Sequence, residues 1–109
     1  LIVTPEHNRS LPAVLKNAID WGSKPAGQNV WFDKPVAISG TSPGAIGTAV
    51  AQQHLRQIMG ILGCVVLGGE AYLQFLPELI VDGEIGPNSH DFIKGYLDRF
   101  MTLVEKLAA

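Results

Sequence analysis

Three apolar residues, Leu1-Ile2-Val3, run into a polar turn, Thr4-Pro5-Glu6-His7-Asn8-Arg9-Ser10, and then into a helical pattern that begins near Pro12. A β-branched run, a loop and a helix in immediate succession read as one strand-to-helix crossover of a parallel sheet. In open α/β sheets, ligands bind in the crevice outside the carboxyl ends of the strands. Residues 4–10 are therefore expected to form one wall of a binding crevice.

The rest of the chain repeats this rhythm. Ser10 is a candidate cap for the first helix, and Pro12 suits its first turn, where a missing N–H costs nothing. Leu11, Val14, Leu15, Ala18 and Ile19 recur at helical spacing and predict one apolar face, closed by Trp21. A Gly- and Pro-containing connection follows, and Val36-Ala37-Ile38-Ser39 reads as a second strand. The small-residue loop Gly40-Thr41-Ser42-Pro43-Gly44 leads to a helix expected from about Ile46 to Leu62. Its buried stripe is Ala51, Leu55, Ile58, Met59 and Leu62, with Gly63 as a natural stop. Cys64-Val65-Val66-Leu67 reads as a third strand, broken by Gly68-Gly69. Residues 70–84 read as a long loop with room for one short strand and a turn at Asp82-Gly83. A last helix is expected from Asn88 or Ser89, with Asp91 in its first turn. Its core stripe is Ile93, Tyr96, Leu97, Phe100, Val104 and Leu107.

The order β-α-β-α-β-loop-α argues for a parallel sheet with right-handed crossovers. Its 109 residues allow one domain, and 47% hydrophobic with 17% charged residues fits a buried sheet. Three strands are too few to cover three helices. The chain also opens at Leu1, without a methionine and directly in an apolar strand. Further strands upstream are therefore expected. A formal net charge of −2 with scattered Lys and Arg disfavours nucleic-acid or anionic-membrane partners. No apolar run approaches the ~18–20 residues of a membrane helix. A single cysteine, Cys64, fits a reducing, cytoplasmic compartment and excludes a disulfide framework.

Among the residues that carry chemistry, Glu6, His7, Asn8 and Ser10 share one loop. Turn and capping preferences alone account for them about as well as ligand binding does. The loop Ser39-Gly40-Thr41-Ser42-Pro43-Gly44-Ala45-Ile46-Gly47 offers backbone N–H groups near a helix N-terminus, suited to an anion or a carbonyl-rich ring. Its glycines do not make GxGxxG, and no Walker Lys-Ser/Thr is present, so a plain nucleotide-phosphate loop is not expected. His7, His54 and His90 lack metal-ligand spacing. No G-x-S-x-G marks a serine nucleophile. Cys64 reads as an inert core thiol and Trp21 and Trp31 as core or interface aromatics.

With these residues in view, a family resemblance stands out. Thr4-Pro5-Glu6-His7-Asn8-Arg9-Ser10-Leu11-Pro12 and Leu15-Lys16-Asn17-Ala18-Ile19-Asp20-Trp21 resemble the NAD(P)H-dependent FMN reductases, which include quinone and chromate reductases. The family pattern is Pro-Glu-Tyr-Asn, then Ser, Pro and Leu-Lys-Asn-Ala-Ile-Asp-Trp. Lys34-Pro35-Val36, Ser42-x-Gly44-x-x-Gly47 and His54-Leu55-Arg56-Gln57 also fit. The resemblance implies a flavodoxin-like three-layer αβα domain with a parallel sheet of order 2-1-3-4-5. Residues 1–109 would supply strands 3, 4 and 5 as the C-terminal part of that single domain. FMN would bind with Pro5, Glu6, His7, Asn8 and Arg9 along its ring, mainly through main-chain groups, and with Ser42 approaching from the second loop. NAD(P)H would be the co-substrate and a quinone or other small molecule the acceptor, in ping-pong hydride transfer. No side chain is assigned as acid, base or nucleophile, and no metal is implied. The family also implies a homodimer or dimer of dimers, for which the strand 4–5 loops and the helix carrying His54 and Arg56 are candidate contact surfaces. Two features depart from the pattern. His7 replaces the usual Tyr, and the phosphate-binding loop that follows strand 1 is not in these residues.

A second reading stays open beside the reductase. Residues 1–109 would then be a non-catalytic half-domain acting only as a folding or oligomerisation module, with the strand at Leu1-Ile2-Val3 as an apolar edge that a partner must cover.

Overall fold

The computed structural model describes residues 1–108. Its elements run β1 (Ile2–Val3), α1 (Ala13–Gly22), β2 (Pro35–Val36), β3 (Ile38–Ser42), α2 (Ala49–Ile61), β4 (Val65–Val66), β5 (Tyr72–Gln74), β6 (Ile80–Val81), β7 (Glu84–Ile85) and α3 (Pro87–Ala108). β1, β3 and β5 pair in that order, all parallel, and β2 pairs in parallel with β4. β2 and β3 are one line of chain, and β4 and β5 are another. The alternating order of the sequence is thus realised as three parallel strand lines.

Consecutive residues of the central line face opposite ways, as a strand requires. Val36 and Ile38 join Ile19, Leu55 and Met59 in a core under α1 and α2. Ala37, between them, joins Leu67, Ala71 and Tyr96 under α3, with Phe100 and Leu103 packed alongside. Two helices on one face and one on the other make three layers. Each buried Leu, Ile or Met contributes roughly 1.5–3 kcal/mol relative to exposure.

The third strand line has two pieces, β4 within the expected Cys64–Leu67 and β5 beyond it, for a reason visible in the register. Val36 pairs with Val66 and Gly40 with Tyr72. Four steps along one line therefore face six along the other, and residues 67–71 bulge out. Ile38 pairs with Ile2 of β1 on one side, but its own N–H and carbonyl point to the bulge on the other, where no strand meets them. The Tyr96 hydroxyl takes that place: it receives the Ile38 N–H at 3.2 Å and donates to the Ile38 carbonyl at 2.8 Å. The bulge's own carbonyls are held from both faces. Arg56 of α2 donates to Leu67 O at 3.0 Å and to Gly69 O, and Arg99 of α3 donates to Gly68 O at 3.0 Å. Arg56, expected at a contact surface between subunits, is committed within the chain.

Other expectations need correction. Within residues 70–84 the expected short strand is β5 and the expected turn at Asp82-Gly83 is present, both residues at positive φ, but that turn joins an antiparallel hairpin, β6–β7, in place of a loop. The first helix takes Pro12 as its N-cap with no side-chain cap, so Ser10 does not cap it. The second helix starts at Ala49, not Ile46, because Gly47 at φ 60 turns the chain first. The last helix starts at Pro87, which leaves Asp91 beyond its first turn. Val14 and Trp21 are 77% and 75% exposed and so lie off the buried face of α1. On α3, Leu97 and Leu107 are exposed.

Candidate functional site

Because β1, β3 and β5 are parallel, the loops leaving β1 and β3 emerge at one edge of the sheet. The first loop folds back on itself. His7 N–H donates to Ser10 O at 2.9 Å, and Ser10 N–H donates to His7 O at 3.0 Å. Asn8 and Arg9 between them have φ 51 and 63, as a tight hairpin turn with two left-handed central residues requires. Asn tolerates this conformation, whereas Arg9 holds it at a cost of about 1–2 kcal/mol. Pro5, His7, Asn8 and Arg9 are exposed. The main-chain N–H groups of Glu6, Asn8 and Arg9 have no hydrogen-bond partner among the described residues.

Glu6 differs from its neighbours. Its side chain is 7% exposed, and Oε1 accepts the N–H of Ala51, in the first turn of α2, at 2.7 Å. That helix has no side-chain cap of its own and no acidic residue in its first turn. The Glu6 carboxylate therefore satisfies one of its orphan donors from 45 residues away and meets the positive end of its dipole. Arg9 reaches the other carboxylate oxygen at 3.4 Å, but its side chain is 71% exposed, so that pair adds little. Ser10, at the far end of the turn, bonds through Oγ to His54 Nδ1 at 2.8 Å. His54 lies three residues after Ala51, so the loop is fastened to α2 at two points about one helical turn apart.

The strand runs further than the sequence predicts: Gly40, Thr41 and Ser42, expected in the loop, are paired in β3, and at its last residue the Ser42 hydroxyl donates to the Gly47 carbonyl and closes the turn into α2. Its lone pairs remain able to accept. Gly40, just before it, is hemmed in: a Cβ there would stand 2.1 Å from Thr4 O and 2.5 Å from Thr48 Oγ1. The two loops are thus in main-chain contact at their roots. Below them Gln52, fully buried, donates to Thr48 Oγ1 at 2.7 Å and Ala71 O at 3.0 Å. Thr41 Oγ1 is buried without a partner.

The structure therefore brings Pro5, Glu6, His7, Asn8 and Arg9 together in one loop and sets Ser42 at the end of β3, where the neighbouring loop begins. Gln52, which the sequence does not single out, holds this edge together with Ala51, expected only in a buried stripe, and His54, expected only on a contact surface. Separations of 44 and 45 residues leave no local signal for the Ser10–His54 and Glu6–Ala51 bonds. A separate groove of ≈ 540 Å³ runs between α1 and α2, lined by Ser10, Leu11, Lys16, His54 and Gln57 among others. It shares only the edge residue Ser10 with the first loop. Cys64 lies away from both, donating to Trp31 O at 3.3 Å. Among the described residues no group of three His, Cys, Asp or Glu forms a metal site, and no helix is long and apolar enough to cross a membrane.

Residues 1–76 match the model of a family described as NADPH-dependent FMN reductase. The chain is 45% identical over 108 residues to a 2-hydroxy-1,4-benzoquinone reductase of a Burkholderia species, covering 95% of this chain and 58% of that protein. It is 44% identical over 108 residues to a quinone reductase of Pseudomonas putida, covering 96% and 58%. Among solved structures it is similar to FerB, a flavoenzyme NAD(P)H:(acceptor) oxidoreductase from Paracoccus denitrificans. That match has a TM-score of 0.89 and 43% identity, over 95% of this chain and 59% of that one. The chain thus spans rather less than three-fifths of the length of these curated relatives.

Proposed function

Because this chain belongs to the NADPH-dependent FMN reductase family, we propose that the whole protein is an FMN-dependent NAD(P)H oxidoreductase that reduces quinones or similar small acceptors. The observation that carries the proposal is the exposed first loop, whose Glu6, Asn8 and Arg9 amides are unpaired. Such a fringe fits the edge of a planar ring rich in carbonyl and nitrogen acceptors. Pro5, Glu6, His7, Asn8 and Arg9 would hold FMN by main-chain groups, and Ser42 would accept from or stand beside the same ring. No residue of this chain is assigned to the FMN phosphate.

When bound, FMN supplies the hydride chemistry between NAD(P)H and the acceptor. The chain's own part is to orient the ring against the two loops and to aim donors at it. An open, exposed loop suits acceptors of varied shape. A cytoplasmic site for the reaction belongs to this proposal, since NAD(P)H is available there. Exposed Val14 and Trp21 on α1 support a homodimer or dimer of dimers. The second reading is an assembly module in which the β1 edge, with Leu1 and Val3 exposed, is paired by a partner and no flavin binds.

Initial rates of the whole protein with NADPH and 1,4-benzoquinone, each varied against the other, test the proposal. Parallel double-reciprocal lines, with turnover proportional to flavin content, are expected. Flavin-free protein with no turnover would overturn the reductase and leave the module.

A further inference from the structure

The two bonds that fasten the first loop to α2 point to a function for side chains that do not themselves face the crevice. We infer that Glu6 and Ser10 are positioning residues, through which α2 fixes the height and tilt of the His7–Asn8–Arg9 turn against the ring that the loop is proposed to bind. This rests on the reading of residues 5–9 as a flavin wall.

Three observations carry it. The Glu6 carboxylate is almost fully buried and spends Oε1 on the Ala51 N–H, so it is turned away from the open edge where Pro5, His7, Asn8 and Arg9 are exposed. The turn itself is held in a left-handed conformation at two successive non-glycine residues, which persists only if its ends are fixed. Both ends are fixed to one rigid element, at Ala51 and His54, and by side chains rather than by the sheet. What α2 needs from Glu6 is an acceptor at a given reach. The exposed Arg9 pair shows that the second carboxylate oxygen matters less.

Reach and charge can be separated by substitution in the whole protein. Glu6→Gln keeps the chain length and the Oε1 acceptor but removes the charge. Glu6→Asp keeps the charge but is one methylene short of Ala51. FMN affinity is measured by fluorescence titration of the flavin-depleted protein, with far-UV circular dichroism and thermal unfolding recorded on the same samples. Glu6→Asp is expected to weaken FMN binding about tenfold more than Glu6→Gln does, the scale of the one neutral hydrogen bond that Gln keeps and Asp loses. A difference in the bound-flavin absorption band between Glu6→Asp and wild type should accompany it. Ser10→Ala, which removes the other fastening, is expected to weaken binding in the same direction.

Equal losses in Gln and Asp, or a greater loss in Gln, would overturn the inference, since charge rather than reach would then matter. Unaltered binding in Asp and Ala would overturn it as well. If Glu6→Asp does not fold, Ser10→Ala decides: weakened binding with unchanged circular dichroism supports positioning, and unchanged binding refutes it. Wild-type protein that binds no FMN would remove the flavin wall itself, an outcome distinct from either result in the variants.

Discussion

The Tyr96 hydroxyl stands in for a missing strand neighbour. By bonding both the N–H and the carbonyl of Ile38, it lets the central strand line cross a bulge without leaving main-chain polar groups bare in the core. Tyr96→Phe leaves both unpaired at nearly constant volume. A loss of about 2–4 kcal/mol in urea unfolding is expected, with the helical signal retained at low denaturant. Cys64 gives a second prediction at this scale. Burial raises its thiol above the ordinary value of 9.0, and the charge of Lys34 only partly opposes this. The thiolate is the reactive form, so alkylation near neutral pH should be slower in the folded than in the unfolded protein. The sign for stability follows. The folded state keeps its proton longer, so the half-buried thiol's contribution is present below 9.0 and is lost as pH rises through the higher folded value. Unfolding measured along an alkaline series should show this fall, and Cys64→Ser should flatten it.

Among elements, α2 has the widest reach. Its stripe of Ala51, Leu55 and Met59 is buried, as the spacing of apolar residues predicts. Its other contacts were not legible. Arg56 reads as a surface residue by period, yet it turns over the edge of the sheet to the bulge carbonyls. Gly68-Gly69 signalled a break in the third strand, but not its size. The mismatch of four steps against six depends on a partner line far away in sequence, and strand register is nonlocal by nature. Ser10 was misread for a similar reason: a hydroxyl two residues before Pro12 looks like a cap, but the acceptor it finds is His54. The loop between residues 4 and 10 was legible as a turn because Asn8 favours left-handed backbone; the burial of Glu6 within it was not. Arg56→Met tests the element's role in the bulge. It should cost about 1.5–3 kcal/mol and raise amide exchange in residues 67–71 above that of the β1–β3 pairing. Equal exchange in both regions would mean that Arg99 alone suffices.

At the scale of residues 1–109 as a whole, the flavodoxin-like layers leave one side of the described sheet open. β1 is an edge strand, and Leu1 and Val3 on it are 58% and 68% exposed. The dimensions of 45 × 36 × 21 Å describe a slab rather than a ball. An apolar strand edge of this kind pairs with whatever strand is offered. A polypeptide of residues 1–109 alone should therefore self-associate in size-exclusion chromatography as concentration rises, and Val3→Lys should reduce that association. A monomer unaffected by concentration would show the edge to be protected in some other way.

The central claim is that the two loops at the carboxyl ends of β1 and β3 form the ligand-facing edge. It is tested most directly by amide chemical shifts of the isotopically labelled whole protein during FMN titration. The account predicts the largest changes at Glu6, Asn8 and Arg9 and in residues 42–46, with smaller ones at Ala51 through the Glu6 bond. Changes centred instead on Ala13, Lys16, His54 and Gln57 would place the ligand in the groove between α1 and α2 and contradict it.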